Sequence, residues 1–109
     1  MIIPTEKNMR RILAMHFAAT KGGGTRFKIM MSLKSEPKNT NELSSELIMD
    51  YKTIQHHIRV LEKSGLIVSE NAKYSNDYMV SDMMNQFSYL LADFRHLGEL
   101  FNLRMWNSK

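Results

Sequence analysis

With 109 residues, 43% of them hydrophobic and 24% charged, the chain has room for one domain with a modest core and not for two. The absence of cysteine removes disulfides, thiolate zinc sites, iron–sulfur clusters and thiol redox sensing, and no apolar run approaches the length of a membrane span. The formal net charge of +4 favours a polyanionic partner, and its loading is uneven: Lys7, Arg10, Arg11, Lys21, Arg26, Lys28, Lys34 and Lys38 crowd the first third, where Glu6 and Glu36 are the acids. The opening MIIPTEKNMRR lacks the basic-then-apolar order of a secretion signal, so a cytoplasmic location is expected.

In chain order, EKNMRRILAMHFAA spaces Met9, Ile12, Leu13, His16 and Phe17 as one face of a helix, with Arg10 and Arg11 to the side. The KGGG run is expected to end it. A phosphate-cradling loop is the alternative for these glycines, but no strand precedes them and no Gly-Lys-Ser/Thr follows. Thr25 is a candidate N-cap for RFKIMMSLKS, which Pro37 closes. Asn39 or Thr40 is expected to cap NTNELSSELIM, and Asp50 to cap YKTIQHHIRVLEKS, which Gly65 stops. The runs LIVSE and YMVS, separated by the turn formers NAKYSND, read as a β-hairpin. From Asp82 onward Met83, Phe87, Leu90, Phe94, Leu97 and Phe101 step alternately by four and three, the seam of one long helix packed along another.

Two helices joined by a tight turn and followed at once by a two-stranded ribbon are the order of a winged helix–turn–helix. The expected fold is mainly α with a small β-hairpin (α+β), one domain over 1–109: an N-terminal helix at 6–20, a winged helix–turn–helix core at 25–80 and a C-terminal dimerisation helix at 82–106. YKTIQHHIRVLEKSGLI resembles the recognition-helix segment of arsenic-repressor-type (ArsR) transcriptional regulators. The upstream GGGTRFKIMMSLKSEPKNTNELSSELIMD is similar to short archaeal members, and the likeness runs over roughly residues 22 to 81. The resemblance implies DNA binding. It does not bring metal sensing through thiolates, because the helix before the recognition helix carries Leu, Ser and Glu where such sensors carry a cysteine pair.

Read without the resemblance, the segment from Tyr51 to Ser64 turns by ~100° per residue and so gathers Ile54, Ile58 and Leu61 on one side, with Tyr51 and His57 flanking them. Lys52, Gln55, His56, Arg59 and Lys63 project the other way, and Thr53 lies near the N-terminal end. A polar, basic face on an aliphatic anchor suits a major groove: Gln55 can pair with adenine, Arg59 with guanine or phosphate, and His56 or Thr53 with a base edge or phosphate. His57 is expected to be packed and bonded to backbone. The two neighbours diverge on a helix, so no metal site is expected, and with no placed nucleophile and base no catalytic residue and no cofactor are expected either.

Lys73, at the hairpin tip with Tyr74 and Asn76, would lie over a minor groove or phosphates; a solvated turn is its plain alternative. Arg26 and Lys28 open a helix that can meet the DNA backbone, and Thr40 with Ser44 or Ser45 can donate to phosphate. The seam of Met83, Phe87, Leu90, Phe94, Leu97 and Phe101 is expected to pair with the N-terminal helix and a second copy, so a homodimer is expected, reading half-sites roughly 34 Å apart; a helix that only completes one monomer's core is the plain alternative. The function expected is sequence-specific binding of double-stranded DNA by a non-enzymatic regulator; the alternative is a winged-helix module for protein–protein contact.

Overall fold

Most of the helices begin where a side chain satisfies otherwise unpaired N–H groups. The computed structural model describes residues 3–18, 20–70 and 76–94. The Thr5 hydroxyl accepts from Asn8 N at 3.1 Å and opens α1 (Glu6–Phe17). Gly22 precedes α2 (Gly23–Ser35). Asn39 and Glu42 form a reciprocal capping box at the start of α3 (Thr40–Leu47), and Asp50 accepts from Thr53 N at the start of α4 (Tyr51–Lys63). Asn39, not Thr40, is thus the cap of α3. Gly65, at φ 77°, ends α4 and lets Leu66 N reach back to Leu61 O at 3.1 Å.

The ribbon follows at once. β1 (Ile67–Ser69) pairs antiparallel with β2 (Tyr78–Val80) in the register Ile67 to Val80, Val68 to Met79 and Ser69 to Tyr78. Its outer edge is also occupied: Lys38 N donates to Tyr78 O at 3.1 Å and Tyr78 N to Lys38 O at 2.8 Å, tying the wing to the loop before α3. Lys38 Nζ in turn donates to Ser32 Oγ and Glu46 Oε1 at 2.7 and 2.6 Å, so one residue links α2, α3 and the wing.

One core runs through these elements. Met9, Leu13 and Phe17 of α1 meet Phe27, Ile29, Met30 and Leu33 of α2, Leu43 of α3, Ile54, Ile58 and Leu61 of α4, and Leu66, Ile67 and Val80 of the ribbon. The aliphatic side of α4 is therefore its buried side, which fixes the orientation of the opposite, polar side.

Two expectations about element ends are corrected. The glycine run opens α2 instead of merely ending α1, which stops at Phe17. Thr25 is no cap: it lies inside α2, buried, its hydroxyl against Met49 Sδ at 3.6 Å. The glycines are needed for close approach. A Cβ on Gly22, which holds φ 91°, would stand 2.9 Å from the His57 ring, and one on Gly23 would stand 2.2 Å from Phe17 O.

The long C-terminal helix is also corrected within the described residues. Ser81 caps a short α5 (Asp82–Asn85), the chain turns at Gln86 and Phe87, a 3-10 turn spans Ser88–Leu90, and helical geometry resumes at 91–94. The turn brings Phe87, Leu90, Leu91 and Phe94 onto the chain's own core, where Phe94 meets the Phe17 ring edge-on at 5.8 Å. Three members of the expected seam, Phe87, Leu90 and Phe94, are thus buried within the monomer, and Met83 is half-buried. Leu97 and Phe101 lie outside the described residues.

Candidate nucleic-acid interface

Burial of Ile54, Ile58 and Leu61 leaves Lys52, His56, Arg59 and Lys63 exposed along the opposite side of α4, with Thr53 and Gln55 half-buried between them and the core. Two of these side chains are held. Asp50 Oδ2 accepts from Thr53 N at 3.2 Å and lies 3.5 Å from Thr53 Oγ1, fixing the first turn. The Thr40 hydroxyl donates to Gln55 Oε1 at 2.9 Å, which leaves the amide N–H groups and one carbonyl lone pair of Gln55 available to a base edge.

Thr40 itself is therefore not a phosphate donor in this arrangement: it is 6% exposed and its proton is engaged by Gln55. It orients the Gln55 amide from behind. Ser44, expected to offer its hydroxyl outward, donates it to Met49 O across the turn between α3 and α4. Ser45 and Lys28 are exposed. Lys73 and Tyr74 lie outside the described residues.

Arg26 is the largest departure. It was expected to meet the DNA backbone, but it is 6% exposed and braces α1, α2 and α4 from within. Its Nε donates to His16 O at 3.0 Å, Nη1 to His57 Nδ1 at 3.1 Å, and Nη2 to Thr20 Oγ1. His57 is accordingly packed, at 5% exposure, but its bond goes to a guanidinium and not to backbone. Accepting from Arg26 requires an unprotonated Nδ1. Burial first, then the charges of Arg26 and His56, hold the His57 imidazole down at about 4. His16, also buried and near Arg26, is lowered in the same direction, and its Nε2 pairs with the Ser64 hydroxyl at 2.8 Å. The two adjacent histidines do part company: His56 is exposed while His57 is enclosed, their rings 5.4 Å apart and tilted by 58°. Among the described residues no group of three or more His, Asp or Glu is arranged to hold a metal ion.

Two clefts flank the exposed side of α4. One, of about 360 Å³, lies between the starts of α3 and α4 and the wing, lined by uncharged polar groups of Asn39, Thr40, Asn41, Tyr51, Gln55, Asn76 and Tyr78. The other, of about 510 Å³, is basic and lies on the side of α2. Tyr51, 49% exposed at the head of α4, and Asn41 escape a reading of the sequence because capping and helix periodicity already account for that stretch. The cluster Asn39, Thr40, Asn41 so close before the Tyr51 to Arg59 face is the signal that points to them.

A short helix, a turn and a second helix whose polar side stands clear beside a two-stranded ribbon define a winged helix–turn–helix. Residues 23–69 match the family model described as bacterial regulatory protein, arsR family. Over those residues the winged helix–turn–helix is similar to that of arsR-family proteins, a likeness that supports a DNA-binding transcriptional regulator. Among solved structures, reduced HlyU from Vibrio cholerae has the same fold, with a TM-score of 0.57 and 19% identity over 88% of this chain and 93% of that one. No curated protein matches the sequence. No helix among the described residues is long and apolar enough to cross a membrane.

Proposed function

We propose that the protein is a non-enzymatic cytoplasmic regulator that reads double-stranded DNA sequence-specifically, with α4 in the major groove and the wing on the adjacent backbone or minor groove. The observation that carries this reading is the division of α4: aliphatics wholly buried on one side, Lys52, His56, Arg59 and Lys63 exposed on the other, and Gln55 held from behind by Thr40. Gln55 and Arg59 are the base readers, matching the donor and acceptor pattern of adenine and guanine. Lys52, Thr53, His56 and Lys63 position the helix, and Lys73 of the hairpin tip reaches phosphates or the minor groove.

The regulator acts as a homodimer in this proposal, with the N- and C-terminal segments forming the contact. Burial of Phe87, Leu90 and Phe94 in the monomer moves that contact to apolar groups left outside, among them Ile3, Met15 and Tyr89. Selection of bound fragments from random duplexes, followed by gel shift at two salt concentrations, tests the reading. Enrichment of a short pseudo-palindrome bound with steep salt dependence supports it. Absence of salt-sensitive duplex binding favours use of the same module for protein–protein contact.

A further inference from the structure

The basic cleft beside α4 is lined by Lys21, Arg26, Lys52, Thr53, His56 and His57. None of these is a carboxylate. Two of them, Arg26 and His57, are more than nine-tenths buried and form its inner wall, while Lys21, Lys52 and His56 stand exposed at its mouth. Arg26 is a cation removed from water whose described partners, His16 O, His57 Nδ1 and Thr20 Oγ1, are all neutral acceptors. A guanidinium has five N–H donors, of which these contacts use three. A buried charge paired only with dipoles is costly compared with one that also meets an opposite charge, and this one borders a cleft with no acid in its lining, the Asp50 carboxylate standing behind Thr53.

We infer that the cleft is a seat for a phosphate group, with Lys21 and Lys52 closing on the anion from the α1–α2 turn and from α4, His56 donating to its oxygens, and Arg26 supplying fixed positive charge behind. A tetrahedral oxyanion suits donors that converge from two elements, and charge-assisted bonds to phosphate are the stronger class. The assignment rests on the DNA-binding reading for the most natural source, a phosphodiester of the strand bordering the groove that α4 enters. The same chemistry would accept free phosphate or pyrophosphate, which would then compete with DNA. Gly22 belongs to the seat indirectly: a side chain there would strike the His57 ring and lift the turn that carries Lys21.

The test uses the full chain. In ¹⁵N-resolved NMR, sodium pyrophosphate is titrated against sodium chloride at matched ionic strength, and duplex affinity is measured by fluorescence anisotropy over a salt series. The seat predicts saturable shifts at Lys21, Gly22, Lys52, Thr53 and His56 with pyrophosphate, or a salt slope for duplex binding that falls by about one unit in the Lys21→Gln/Lys52→Gln variant. Lys34→Gln, which does not line the cleft, leaves both readouts unchanged, and circular dichroism checks that each variant is folded. Displacement of duplex by pyrophosphate identifies a seat open to free phosphate; a slope change alone identifies one reserved for the diester. If pyrophosphate gives no saturable shift and the slope of the double variant equals that of the wild type, the seat is refuted whether or not the protein binds DNA. Saturable pyrophosphate binding by a protein that ignores duplexes would refute the DNA reading and leave the seat standing.

Discussion

Ile48 holds φ 54° and ψ 55° with its side chain 86% exposed at the turn between α3 and α4. Left-handed backbone costs a β-branched residue about 1–2 kcal/mol, and a side chain so exposed returns little through packing. Ile48→Gly is therefore expected to stabilise the protein by about 0.5–1 kcal/mol after the added flexibility of the unfolded chain is counted. The check is a urea midpoint that rises with an unchanged slope. His57 sets a second expectation. Its folded pKa of about 4 lies below the ordinary histidine value of about 6.5, so the unfolded chain takes up its proton at higher pH. The stability it contributes is complete above pH ~6.5 and is lost progressively as the pH falls toward 4, by about 3 kcal/mol in all, with His16 acting in the same direction. Denaturant midpoints measured from pH 7.5 down to 4.5 should fall steadily. In Arg26→Met the His57 nitrogen and the His16 carbonyl lose their donor, and stability at pH 7 should drop by about 2–4 kcal/mol.

Among the elements, those marked by local signals were legible in the sequence. The caps Asn39 and Asp50, the stop at Gly65 and the amphipathic period of α4 all act within one or two turns, so the sequence around them is enough. The Asn39 capping box predicts a loss of about 1 kcal/mol on Asn39→Ala, read by thermal or urea unfolding. Illegible were the features that depend on a distant partner. Arg26 looks like any basic residue near a helix start until α1 and α4 close over it, and Thr40 looks like a cap until Gln55 arrives from fifteen positions away. The seam after Asp82 misled for a related reason: its four-and-three spacing also fits a chain that turns at Gln86 and Phe87 to fold the same phenylalanines and leucine onto its own core.

At the scale of the whole molecule, the core orients α4, the loop at Lys38 ties the wing beside it, and the buried Arg26 braces the turn that brings Lys21 alongside. Positive groups on α4 and the α1–α2 turn thereby share one side of the protein. The account makes that side the DNA-reading surface. Its most direct test is the affinity of wild type and Arg59→Ala for a selected operator duplex and for a scrambled duplex of equal length, each at two salt concentrations. The account predicts that Arg59→Ala weakens operator binding by about 1–3 kcal/mol and scrambled binding far less. Equal affinity of the wild type for the two duplexes, or binding of either that salt leaves unchanged, would contradict it.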